Sequence, residues 1–166
     1  MKKTLISEAD EIKRHEAEAR IRINLALIGI CFTLFTFIIA INPAFLRHNA
    51  FVSVQLTLAI PFIITSTMSL AKMAKPRKID IWNKYGAANF IIGYSFMINI
   101  VGILLSEFAS TMFGMIFFAV NVILRLGYSA IEIKEHPERK ITTPLRELFF
   151  ITLLALLGIL PSLGIY

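Results

Sequence analysis

Four side chains able to do chemistry share one helical face in the stretch AVNVILRLGYSAIE, residues 119–132. Asn121, Arg125, Tyr128 and Glu132 recur at intervals of four, three and four. A guanidinium and a carboxylate in an otherwise oily run can hold an ion or orient a polar solute. The spacing suggests an interior vestibule in which Arg125 pairs with Glu132 through an adjacent turn or subunit. A simpler reading competes with it. Counted from residue 112, Arg125 lies roughly 20 Å across a ~30 Å apolar core. From there a long side chain reaches the headgroups, so Arg125 also serves as the last rung before the cytoplasm.

Other polar residues recur at helical spacing. Gly29, Thr33, Thr36 and Ala40 form one stripe; Ser95, Asn99, Gly102 and Ser106 form another. Further stripes are Gln55, Ala59, Ser66 and Ser69, and Thr152, Ala155, Gly158 and Ser162. Small residues let helix backbones approach, and Asn or Thr bonds across the gap, so helix–helix contact is the plain explanation. The sharper one is a hydrated path lined by Thr33, Thr36, Asn99 and Asn121. If spans three and four turn about Glu107 and Phe108, Asn99 and Asn121 differ in depth by about 7.5 Å. Direct contact between them is therefore not expected.

The chemistry needed for catalysis is missing. No metal-binding HExxH, nucleophile elbow, phosphate-binding glycine loop or serine–histidine set is present. No acid falls inside the apolar runs as delimited below, whereas ion-coupled transporters usually carry one near the midplane. His136, near Glu132, Glu135 and Glu138, reads as a solvated helix end rather than a metal site. The lone Cys31 reads as a small buried hydrophobe. No enzyme activity, cofactor or metal is expected.

These residues must be positioned by membrane helices. The 166 residues are 57% hydrophobic and 17% charged, with a mean hydropathy of +0.72. Five apolar runs are long enough, or nearly so, to cross a bilayer: 24–41, 51–71, 86–105, 112–131 and 148–166. The fold class is all-α, a polytopic bundle of five transmembrane helices. Pro161 and marginal length weaken the last run, so four spans plus a re-entrant or interfacial C-terminal segment is the alternative. Residues 1–22 form a charged N-terminal helix continuous with the first span, and residues 23–166 form the bundle.

Charge fixes the expected orientation. Lys2, Lys3, Lys13, Arg14, Arg20 and Arg22 precede the first span. Lys72, Lys75, Arg77, Lys78 and Lys84 follow the second; Arg125, Lys134, Arg139, Lys140 and Arg146 lie around the end of the fourth. Only Arg47 falls on the other side. The positive-inside rule then places the N-terminus in the cytoplasm and Tyr166 outside, in an inner or plasma membrane. The net charge of +6 follows from this bias and does not imply nucleic-acid binding. Lys75, Arg77, Lys78 and Trp82 are the expected headgroup contacts.

Residues 7–22 alternate in sign, with Asp10–Arg14 and Glu16–Arg20 at favourable helical spacing. No glycine or proline interrupts the chain from there to Gly29. This helix is expected to run unbroken into the membrane. It is either simply solvated or offers Ile12, Arg14 and Glu18 to a cytoplasmic protein. Beyond contact with the lipid bilayer, the favoured functional reading is a homo-oligomer whose copies surround an ion path. The alternatives are a non-conducting anchor, sensor or assembly subunit, and then a small-solute transporter.

Overall fold

The computed structural model of the protein describes residues 8–72, 79–137 and 140–165. All five expected spans are helices of sufficient length and apolarity to cross a membrane. This is an all-α, multi-pass integral membrane protein. Its elements are α1 (Glu8–Ile41), the short α2 (Phe45–His48), α3 (Ala50–Lys72), α4 (Ile79–Phe108), α5 (Thr111–Glu135) and α6 (Thr142–Leu154). A π-turn (Ala155–Ile159) and a final short turn, α7 (Leu160–Ser162), extend α6.

Helix α4 is the hub. It packs most broadly on α3 and also meets α1, α5, α6 and the π-turn. In its most apolar window 56% of the residues are buried, against 17% for α1. Gly93 permits the tight α3–α4 approach: a Cβ there would lie 2.7 Å from Ile63 Cγ1 and 3.2 Å from the Ala59 carbonyl. Backbones this close gain dispersion contacts that lipid cannot supply.

Helix α1 is unbroken, as its lack of early glycine and proline predicts, and it packs mainly on α3. Among its described side chains the buried ones are Ala17, Asn24, Cys31 and Ile38, each seven after the last. A seven-residue repeat keeps one seam facing a partner over several turns. Thr33 and Thr36, expected to line a hydrated path, lie off this seam within one chain. Both are exposed, and each hydroxyl donates to its own helix, to the carbonyls of Gly29 and Phe32. The small-residue stripe of α1 thus looks away from the bundle. On α3 and α4, by contrast, Gln55, Ala59, Ser66, Ser69, Ser95 and Asn99 are buried.

Helix α4 runs to Phe108, so the α4–α5 connection is Ala109–Ser110 rather than Glu107–Phe108. Measured from that turn, Asn99 and Asn121 differ by about one residue, or roughly 1.5 Å in depth, not 7.5 Å. They still do not pair. Asn121 bonds back to the Phe117 carbonyl, while Asn99 donates to Gln55 Oε1 at 2.8 Å.

The last span is continuous helix from Thr142 to Ser162, not a re-entrant segment. It starts six residues earlier than its hydropathy suggests, with Pro144 in the first turn, where no intrahelical N–H bond is lost. Pro161 cannot donate to the Leu157 carbonyl four residues back. Gln55 Nε2 donates to that carbonyl instead, at 2.9 Å. Asn99 Nδ2 reaches the Leu153 carbonyl at 3.4 Å. The polar core of α3 and α4 therefore seats the irregular part of the last helix.

Candidate functional site

The early start of α6 carries Arg146 and Glu147 into the bundle, where they meet the polar face of α5. The sequence-based expectation that the spans hold no acid is thereby corrected: Glu132 in α5 and Glu147 in α6 are both buried. The expected Arg125–Glu132 pair is also replaced. Arg125 Nε donates to Glu147 Oε2 at 2.7 Å, and Arg146 Nε donates to Glu147 Oε1 at 2.9 Å. Arg146 Nη2 reaches back to Glu132 Oε2 at 2.6 Å. The ladder Arg125–Glu147–Arg146–Glu132 joins α5 to α6 near their basic ends. Two guanidiniums offset two carboxylates, as low-dielectric surroundings demand.

Arg125 has a second anchor. Its Cζ lies 4.6 Å from the centroid of the Phe150 ring, a cation–π contact. Phe150 stacks on Tyr94, and Tyr94 on Phe90, with centroids 6.2 and 5.6 Å apart. An aromatic column thus runs from α4 to α6 and ends beneath a guanidinium. The Arg125 side chain is 20% exposed. Its Nε is engaged, but its two Nη groups have no acceptor among the described residues. Four N–H donors are held there by a fixed guanidinium plane.

These donors belong to a vestibule of about 440 Å³ between α1 and α5, floored by α3 and α4. Arg20, Arg125 and Arg146 line it on the polar side; Ile23, Leu70, Phe90, Ile91 and Tyr94 supply apolar walls. Asn24 is also in the lining. Its Nδ2 donates to Ser66 Oγ at 3.2 Å, while its buried Oδ1 has no partner among the described residues. Arg20 on α1 is exposed and loosely held, 3.8 Å from Glu16 Oε2 and 3.1 Å from Asn83 Oδ1. The Glu16–Arg20 pair is the i,i+4 contact its spacing predicts.

The remaining sequence-based candidates fall elsewhere. Asn121 is half-buried on the vestibule's helix but bonds only within α5. Tyr128 lines the cavity and is largely exposed. Trp82, like Ile21, packs partly buried against the Ala17–Leu70 cluster and meets Tyr85 edge-on, so part of its ring is committed to the α1–α3–α4 junction. Ile12 and Glu18 are exposed on α1. Lys75, Arg77, Lys78 and the side chain of Arg14 lie outside the described residues.

Sequence reasoning missed Arg20, Arg146 and Glu147 as site residues. Thr143 and Pro144 signalled a helix start before residue 148, and moving that boundary would have brought Arg146 and Glu147 inside. Arg20 carried no comparable signal, because its distance from Arg125 is a property of the packing. Comparison with protein-family models, curated proteins and solved structures found no match for the chain.

Proposed function

We propose that the protein is a non-catalytic membrane binding protein whose vestibule receives an anionic group. The observation that supports this most directly is Arg125. A partly desolvated guanidinium is costly unless its donors are used, and here two Nη groups face no protein acceptor among the described residues. Fixed by Glu147 on one edge and Phe150 on one face, the side chain is already oriented, so little ordering cost remains at binding. The positive-inside rule would put this vestibule on the cytoplasmic side.

The test is thermal unfolding of the purified protein in a neutral detergent, with inorganic phosphate, sulfate and anionic lipid added separately. At least one of these is expected to raise Tm for the wild type by several degrees and to leave Arg125→Gln unmoved. A panel in which wild type and Arg125→Gln respond alike would defeat the proposal.

One observation favours the pore reading as a second proposal. The outward recess on α1, lined by Phe32, Thr33, Thr36, Phe37 and Ala40, belongs to one of the two least covered spans. A pore would have to bring Thr33 and Thr36 of several copies together there. Ion flux into liposomes tests it; tight vesicles at high protein density would reject it.

A further inference from the structure

Resting on the vestibule reading above, we infer that the anion is the phosphodiester headgroup of a membrane lipid, entering sideways between α1 and α5. Two features of the vestibule select this class.

The first is the division of its lining. Arg20 and Arg125 line the cavity from different helices, one on α1 and one on α5. Ile23, Phe90, Ile91 and Tyr94 supply apolar surface in the same cavity. A small inorganic anion uses only the arginines and leaves that apolar lining without a partner. An amphiphile uses both, because its acyl chain removes the apolar wall from contact with water or headgroups. The helices that frame the opening pack on different neighbours, α1 chiefly on α3 and α5 on α4 and α6. A lipid can therefore enter from the bilayer without breaking either packing.

The second is charge. Arg125 and Arg146 are formally neutralised by Glu147 and Glu132. An added anion on the Arg125 Nη groups needs one more cation, and Arg20 is the one that lines the cavity with a weak hold elsewhere. Its bridge to Glu16 is long and solvent-exposed, such bridges contribute little, and its 3.1 Å bond to the neutral Asn83 amide leaves its charge uncompensated. One additional cation matches one negative charge. A phosphodiester carries one; a phosphomonoester approaches two near neutral pH and would lie beside the Glu147 carboxylate. The vestibule is therefore built for a monoanionic lipid, clamped between the Arg20 and Arg125 guanidiniums.

The experiment is native mass spectrometry of delipidated full-length protein titrated with phosphatidylglycerol, phosphatidic acid, phosphatidylcholine or inorganic phosphate. Wild type, Arg20→Gln, Arg125→Gln and Ala87→Phe are compared. Arg20→Gln changes an exposed side chain, and Ala87→Phe, at a residue of α4 that also lines the cavity, obstructs the apolar wall while leaving every arginine in place. Phosphatidylglycerol is expected to bind wild type about tenfold more tightly than phosphatidylcholine, whose phosphodiester is accompanied by a quaternary ammonium that the arginines repel. Each of the three variants is expected to lose most of that margin. Phosphatidic acid binding more tightly than phosphatidylglycerol would overturn the single-charge argument. Inorganic phosphate binding as well as the lipid, with Ala87→Phe unaffected, would overturn the lipid and leave a soluble-anion vestibule. If no ligand distinguishes wild type from Arg125→Gln, both the lipid and the vestibule reading fall.

Discussion

Arg125 and Glu147 are 22 residues apart in sequence, yet the Nε of one lies 2.7 Å from Oε2 of the other. The same carboxylate also takes Arg146 on its second oxygen. Glu147 is thus the shared acceptor of two guanidiniums, and it is buried while they are partly exposed. Replacing Glu147 with Gln should leave Arg125 without a carboxylate and Arg146 with Glu132 alone, at about 3 kcal/mol, the low end of the cost of breaking a buried pair. Chemical or thermal unfolding in detergent measures it. A Glu147→Gln protein as stable as wild type would show that the ladder contributes nothing.

Glu132→Gln should be milder. Its partner Arg146 keeps the bond to Glu147 and is about one-third exposed, so the expected loss is about 1 kcal/mol. A double-mutant cycle with Arg146→Gln measures the coupling. A larger loss for Glu132→Gln than for Glu147→Gln would invert the hierarchy argued from burial.

The Gln55–Asn99 amide pair offers a different contrast. Asn99→Ala removes a donor to Gln55 and to the last helix, and bonds of this kind inside membranes contribute about 0.6–1.7 kcal/mol. Gln55→Leu should cost more than Asn99→Ala, because it also leaves the Leu157 carbonyl without the donor that Pro161 cannot supply. Unfolding midpoints of the two variants, compared in one detergent, decide the order.

Glycine substitutions separate close packing from open surface. A Cβ on Gly114 would collide with Ser106 and lie 2.7 Å from the Gly102 carbonyl, which is backbone and cannot swing aside. Gly114→Ala should therefore destabilise by about 1–3 kcal/mol. Gly127, with nothing near its Cβ position, should tolerate alanine or gain slightly from helix propensity. Equal Tm values for the two would contradict the α4–α5 packing described.

Thr33→Leu and Thr36→Leu should leave stability within about 0.5 kcal/mol, as expected for exposed positions bonded only to their own helix. They become informative through self-association. If copies meet along this face, size-exclusion with light scattering in detergent should show the doubly substituted protein shifting to smaller assemblies.

Hydropathy carried most of the fold, because five all-round apolar runs have few ways to satisfy their backbone except as spanning helices. The errors lie where hydropathy stops being informative. Arg146 and Glu147 lower the apolar average at the start of α6, so the span boundary was placed after them, although the helix and its burial include both. Their charges are tolerated because they are paired, and pairing with Arg125 and Glu132 is a tertiary fact. On α1 the small-residue stripe through Gly29, Thr33, Thr36 and Ala40 was legible, but within one chain it is a different seam, through Ala17, Asn24, Cys31 and Ile38, that is buried against the bundle. Periodicity identifies candidate faces; only the neighbour decides which one is covered. Arg125 itself was legible as an anomaly in an oily run, but its partner Glu147 was not.

The bond from Gln55 to the Leu157 carbonyl spans 102 residues, and this bears on how the chain enters a membrane. Helices emerge from synthesis in order, so Gln55, Asn99, Arg125 and Glu132 are all made before their partners on the last helix exist. Until residues 142–162 arrive, the nascent bundle holds a carboxylate, a guanidinium and two amides whose final bonds have not formed, each a reason for the early helices to linger near water or the insertion machinery. The consequence is an order of assembly: the polar bonds that tie the earlier spans together through residues 142–162 close only when that helix docks.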